Sequence, residues 1–506
     1  MSEEWEYDPY EYAKELAEGQ DLARSDFSEP RKTEDQRGGI SRRELLVRGG
    51  AAAAAVGGLG ALAGPAAAAT SKSGAFTGTL RVLSLGVEFP NGVQAEAEKA
   101  LGFKFQVSLA DSGTMVQKMI TSPKTFDIFG GYNYQYMQGW PANTMLPVDR
   151  TRVKAWMTNY KLFRYGKVNP AAKGCTYGQG NAPLRALYVD ENRSTGLPLS
   201  PSHPIGNKSI VEWINERTGK PYVGKAEPRY IIGAPAHFNM DSMGYSGDVI
   251  KKEPGQMSWA ELLNKKWAGR VAVLKDPGII CADLGNAVQA LGLMKFRNLG
   301  DMTRPEMDRL FKILTVYRKA GQFRAFWASF TESVNLMASK EVVIESMWSP
   351  AVALLVAQGV NVRYASPPEG FRGWSSATGI AKHVAEDPAK VQAAYDYINW
   401  MNEGWFGGAI MRQGYYISNG IQLRSWINSP AGKAAGYSPD EYAFWYGGAP
   451  AATDLPGITG NVGDVKKGQV RDGGGFVKRA CKYTAWNSYF RHSVYQVKKT
   501  NEFLSA

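Results

Sequence analysis

The chain has 506 residues, a formal net charge of +12 and three cysteines. It is too long for one hydrophobic core of typical size, so two lobes are expected. Its basic residues are scattered, in pairs at most, as in Lys251-Lys252 followed at once by Glu253; that spacing argues for a solvated basic surface and against nucleic-acid binding.

Residues 1–40 carry twelve Asp/Glu against five Lys/Arg and almost no apolar periodicity. Such a segment cannot bury enough surface to offset its chain entropy, and disorder is expected. Arg42-Arg43 then precede a weakly apolar Ala/Gly tract from Gly49 to Ala63, and Ala67-Ala68-Ala69 satisfies the small-residue rule for cleavage. The tract is too short and too little apolar to span roughly 30 Å of hydrocarbon. Ser41, Arg42, Arg43 and Leu46 resemble a twin-arginine export signal, Ser-Arg-Arg-x-Phe-Leu-Lys, with Leu45 in place of Phe and Val47 in place of Lys. No cysteine follows the tract, so a lipoprotein anchor is not expected. The expected location is periplasmic or otherwise extracytoplasmic, reached through the twin-arginine translocase. From Thr70 onward the net charge is +17. In an oxidising compartment Cys175, Cys281 and Cys481 allow one disulfide and one spare thiol, without saying which pair forms.

Thr79–Val87 reads as a strand, Val93–Leu101 as a helix, Phe103–Leu109 as a strand, Met115–Thr121 as a helix and Phe126–Phe129 as a short strand ending at Gly130-Gly131. This alternation predicts an α/β fold whose parallel sheet is covered on both faces, with ligands beyond the carboxyl ends of the strands. Residues 150–230, rich in Gly, Pro, Asn and basic residues, read as an insertion interrupted by a helix at Ile210–Glu216. Alternation resumes with a helix at Trp259–Asn264 and strands at Arg270–Leu274 and Glu341–Trp348. Asp387-Pro388 is a strong helix start, because Asp caps the first amides and Pro sits where no N–H is needed. Val391, Ala394, Tyr395, Ile398 and Met401 then recur at helical spacing, a core stripe. Ala485–Leu504 carries aromatic and basic residues at helix spacing.

Several patches share an order. They are Thr125-Phe126-Asp127-Ile128; Met145-Leu146-Pro147-Val148-Asp149; Ser258-Trp259-Ala260-Glu261-Leu262 with Trp267-Ala268-Gly269-Arg270-Val271; Glu341–Pro350; and Gly414-Tyr415-Tyr416-Ile417-Ser418-Asn419. Together they resemble the extracellular solute-binding proteins of ABC importers, in particular the spermidine/putrescine-binding family. The resemblance implies two α/β lobes joined by crossing strands and closing on a solute. It also implies a membrane permease as partner and no cofactor; a monomer is expected. It divides the chain into a leader (1–40), a signal (41–69), a first lobe (70–235), a second lobe (236–375), a return to the first (376–425) and a C-terminal segment (426–506) on the second lobe.

Carried over by position, the family's binding residues fall on Glu88, Phe89, Tyr132, Tyr134, Ser329, Trp348, Trp374 and Tyr415. Aromatic faces and carboxylates suit an amine, since rings attract cations and a carboxylate offsets the desolvation of a buried charge. Two family carboxylates are missing: Ser376 stands where an Asp is expected, and Ile280 where a Glu is expected after Asp276. Asp241, where the chain crosses the cleft, is the expected replacement. A carboxylated or zwitterionic solute held by Arg372 with Ser375, Ser376 and Thr378 is the competing reading. A secreted hydrolase is disfavoured: Gly244-Tyr245-Ser246-Gly247-Asp248 misses the G-x-S-x-G spacing, and His203, His237, His383 and His492 never pair at metal spacing. His237 reads as a hydrogen-bonded structural histidine.

Overall fold

The structure, a computed structural model, describes residues 76–506 except Asn91, Pro141, Ala155, 157–160, 169–172, Arg185, 190–213, 216–219 and 222–226. The expected leader and export signal lie outside the described residues, as does most of the expected helix at Ile210–Glu216. Its two described residues, Ile214–Asn215, instead form a strand paired antiparallel with Lys220–Pro221, so a local hairpin prevails there over helical spacing.

β1 (Thr79–Ser84) lies between two parallel neighbours, β2 (Lys104–Leu109) and β3 (Ile128–Tyr132), with α1 (Val93–Leu101) and α2 (Ser112–Thr121) as crossovers. β1 stops at Ser84 rather than at Val87, because Gly86–Glu88 turns in a short 3-10 helix and the Ser84 hydroxyl donates back to Glu88. β3 is anchored beneath by Asp127, whose carboxylate receives a fork from Arg81 Nε and Nη2 at 3.0 and 2.6 Å and the Arg81 amide at 2.9 Å. Burial alone would raise the Asp127 pKa; those donors and His383 hold it down at about 2.

β4 (Ala234–Ser246) is thirteen residues long and buried from end to end but for its last residue. Its first part pairs with strands of the first lobe and Ser242–Ser246 with strands of the second. The second lobe follows: β5 (Val271–Leu274), α3 (Pro277–Ala290), α4 (Arg304–Lys319), β6 (Phe323–Trp327), α5 (Phe330–Ala338) and β7 (Ile344–Met347), with β5 parallel to both β6 and β7. All four residues of β5 are buried, as a strand covered on both faces requires. The expected helix at Trp259–Asn264 is a 3-10 turn over Trp259–Leu263.

After α6 (Ser349–Ala357) and β8 (Val362–Tyr364), the chain crosses back in β9 (Phe371–Ala381), which runs antiparallel to β4 and to β3. The path across both lobes reads β6-β5-β7-β4-β9-β3-β1-β2. This is the two-lobed α/β architecture with crossing strands. α7 (Pro388–Met401) begins as its sequence predicts, with the Asp387 carboxylate accepting the amides of Ala389 and Lys390. Of its apolar stripe, Ala394, Tyr395, Ile398 and Met401 are buried and Val391 partly so.

α8 (Trp405–Arg412) and β10 (Tyr416–Ile417) complete the first lobe. The remaining segment touches both lobes. The Tyr446 hydroxyl accepts the Ile417 amide and Glu441 pairs with Arg412, whereas Phe503 of α9 (Ser493–Ser505) packs on Phe311, Phe323 and Phe326. Between them β11 (Tyr483–Trp486) joins β9 in parallel, and Cys481, just before it, is disulfide-bonded to Cys175. Cys281 is the free, buried thiol. The disulfide ties the insertion to the C-terminal segment across a sequence separation of 306. A Cys175→Ser/Cys481→Ser double variant is expected to lose about 2–5 kcal/mol in denaturant unfolding; a loss below about 0.5 kcal/mol would show that the bridge constrains little.

Candidate functional site

The site is built from strand ends. β1 ends in the turn that buries Glu88, β3 ends in Tyr132, and the turn after it carries Tyr134. Glu88 leans over the backbone of β3: a Cβ on Gly130 would lie 1.9 Å from its Oε2, so position 130 has no room for a side chain. Ser84 Oγ donates to Oε2 at 2.5 Å, and Oε1 lies 3.5 Å from His237 Nδ1. Burial raises the Glu88 pKa to about 7, against the pull of Ser84 and Ser376, and burial pushes His237 down to about 3. The two therefore meet near neutrality as a carboxyl and an uncharged imidazole, not as an ion pair. Ser376 Oγ contacts His237 Nδ1 at 2.7 Å.

The crossing strands supply the centre. On β4, His237, Asn239 and Asp241 alternate along one face, as period two demands. Asp241 accepts Trp374 Nε1 at 2.5 Å, Asn239 Nδ2 at 2.9 Å and the Tyr364 hydroxyl at 3.1 Å. Trp374, from β9, meets Tyr132, Tyr415 and His237 edge-on at ring separations of 5.3, 5.4 and 5.4 Å. Tyr132 in turn stacks on Tyr134 at 5.3 Å. The Tyr132 hydroxyl feels the charges of Asp276, Arg372, Asp241 and Glu88, and burial above all raises its pKa. Glu88, Tyr132, Tyr134, Asp241, Trp374, Ser376 and Tyr415 thus form one cluster in which no residue is more than 5% exposed.

The second lobe closes the cluster through Asp276, the cap of α3. Its Oδ1 accepts the Tyr134 hydroxyl at 2.6 Å and the Ile279 amide at 3.0 Å. Burial raises its pKa against those donors and Ser112. Asp276, Asn239, Asp283 and Tyr364 are absent from the residues expected from sequence. Asp276-Pro277 carries the same helix-start signal as Asp387-Pro388, and the period-two spacing of 237, 239 and 241 was also legible.

Three expected residues stand apart from the cluster. Ser329 is exposed and caps α5, accepting the Glu332 amide at 3.2 Å. Trp348 packs at 5.0 Å on Trp327 and at 6.5 Å on Phe330, within the second lobe. Phe89 is partly buried against the core. The residues of the carboxylate reading do not converge either. Arg372 Nε donates to Asp283 Oδ1 at 2.6 Å inside the fold, leaving Nη1 unpartnered; Ser375 faces Ser488, and Thr378 faces Met401.

The family model for bacterial extracellular solute-binding proteins matches residues 93–404. The chain belongs to that family. It is a substrate-binding protein of the kind that serves ABC importers. Solved structures similar to it include a putative spermidine/putrescine ABC transporter from Listeria monocytogenes, 14% identical over 84% of this chain and 98% of that one, with a TM-score of 0.48. The spermidine/putrescine substrate-binding protein PotD from Streptococcus pneumoniae is 14% identical over 70% and 88%, with a TM-score of 0.42. The periplasmic binding protein MotA from A. tumefaciens B6, solved with glucopine, is 12% identical over 72% and 88%, with a TM-score of 0.45. No curated protein matches the sequence.

Trp374→Phe keeps an aromatic ring but deletes the indole N–H that Asp241 accepts and shrinks a fully buried side chain. The expected loss is at least about 1.5–3 kcal/mol, the worth of a hydrogen bond to a charged group with a cavity cost added to it, measured by denaturant unfolding. A loss below about 0.5 kcal/mol would mean that this bond does not organise the cluster.

Proposed function

We propose that this protein captures a small organic amine between its lobes, outside the cytoplasmic membrane, and hands it to the permease of an ABC importer. It does so as a monomer exported by the twin-arginine route, and it binds its solute without turning it over. One observation carries the amine assignment. Among the described residues around the aromatic cluster, the buried carboxylate and amide oxygens Glu88 Oε1, Asp276 Oδ2 and Asn239 Oδ1 have no hydrogen-bond partner, while the unpartnered donor nearby, Arg372 Nη1, belongs to a guanidinium already paired with Asp283. Acceptors without donors are the complement of an ammonium group, and the faces of Tyr132, Trp374 and Tyr415 favour the same charge. The engagement of Arg372 by Asp283, of Ser375 by Ser488 and of Thr378 by Met401 weighs against the carboxylate reading. In this role Asp241 positions Trp374, while Glu88 and Asp276 face the solute.

The sign of the pH dependence follows from Glu88. Its folded pKa, about 7, lies above that of the unfolded chain. Its contribution to the stability of the solute-free protein is therefore fully present below the unfolded value and is lost as pH rises through about 7. An ammonium ligand needs the ionised form, so affinity should rise with pH up to about 7 and level off above it. Below that point it should fall by up to about tenfold per pH unit. Calorimetry of the purified protein with mono- and diamines, polyamines, quaternary amines, carboxylates and sugars at pH 5.5–8 measures this. Glu88→Gln should weaken the amine above pH 7 and flatten the profile. Binding confined to carboxylates would sink the amine assignment, and a flat profile in the unaltered protein would remove Glu88 from the solute.

A further inference from the structure

Behind Tyr364, the C-terminal segment borders a cavity of about 80 Å³. Ser349, Ala353, Trp445, Arg471 and Arg479 are among the residues around it. Tyr364 separates this cavity from the aromatic cluster: its hydroxyl bonds Asp241, and its ring faces Arg479 at 5.5 Å. One water needs roughly 10–15 Å³, so the space takes a group of several heavy atoms.

Its unpartnered buried polar groups are donors. Arg479 is fully buried, and its one hydrogen bond is from Nη2 to the Met240 carbonyl; Nε and Nη1 have no partner. Trp445 Nε1 has none either. Arg471 donates to the carbonyls of Trp445 and Gly414 and to the Tyr416 hydroxyl, and to no carboxylate. Burial, with Arg479 nearby, pushes the Arg471 pKa down to about 10. The acids lining the cavity are already engaged. Asp472 accepts Arg363 Nη2 at 3.2 Å and the Tyr364 amide at 3.0 Å, and Asp464 accepts the Thr459 hydroxyl at 2.7 Å and the amides of Gly457 and Thr459. Asp241 and Arg479 attract each other only through space.

Two buried guanidiniums with no carboxylate of their own are costly, and water satisfies their N–H groups without neutralising their charge. We propose that this cavity binds a small oxyanion of the phosphate or sulfate class, at a site separate from the solute cleft. Arg479 Nη1 and Trp445 Nε1 are donors without a partner that such an anion can take, Arg479 Nε offers a further one along the other edge of the guanidinium, and the charges of Arg479 and Arg471 attract it. An open groove lined by Gly447, Gly473, Gly474 and Lys478 adjoins the cavity and shares Val470, Arg471 and Asp472 with it.

The test is a melting series on the purified protein in phosphate, sulfate and chloride at matched ionic strength. Phosphate or sulfate should raise Tm saturably, by roughly 2 °C or more, and chloride should not. Arg479→Gln should abolish the rise. Because that variant also loses the contact with Met240, Ala353→Glu is the second: it puts a carboxylate inside the cavity, so it should raise Tm in chloride and abolish the oxyanion response. Its response to the cleft's own solute should persist. An oxyanion response that is absent, unsaturable, matched by chloride or retained in Ala353→Glu would overturn the proposal.

Discussion

The side-by-side pairing of β4 and β9 is the constraint on which the rest of this structure depends. Both strands cross from one lobe to the other, so every residue of the cluster is placed relative to them. Their register sets Arg372 opposite Asp241 and Trp374 opposite Asn239. Arg372 then reaches Asp283 of α3, so a strand shared by both lobes is held by an ion pair to a helix of the second. Taking those charges from water is expensive, and the pairing is sustained because Ser346 also donates to Asp283 and three donors converge on Asp241. A one-residue slip would send every one of these side chains to the opposite face.

Given that frame, the cleft's chemistry follows from rationing charge. Glu88, Asp241, Asp276 and Asp283 all have pKa values raised by burial, while His237 is held uncharged. Burial disfavours charge on each of these carboxyl groups, and a cation entering among them offsets that cost. The Tyr134–Asp276 hydrogen bond joins the two lobes directly, as expected of a carrier whose closed form is stabilised by contacts from both sides.

Much of this was legible before any fold was seen. Asp387-Pro388 started its helix because capping is a local matter of a few amides. Glu88, Tyr132, Trp374 and Tyr415 could be singled out because the resemblance to the solute-binding family carries that family's binding residues onto these positions. Ser329 and Trp348 carried similar patterns yet stand apart, since a serine before a helix serves equally well as a cap and a tryptophan packs wherever apolar neighbours are nearest. Asp276 showed its cap signal and nothing of its bond to Tyr134, which lies 142 residues away.

By itself, then, the sequence determined the alternation of strands and helices, the need for two lobes and the chemical character of the strand ends, because periodicity and capping act over a few residues. Only the tertiary structure decided that Cys175 rather than Cys281 joins Cys481, that Arg372 is spent on Asp283, that His237 is neutral, and that neither Arg471 nor Arg479 donates to a carboxylate. Each of these depends on burial and on partners distant in the chain. Desolvation and pairing are properties of the packed interior, not of any stretch of residues.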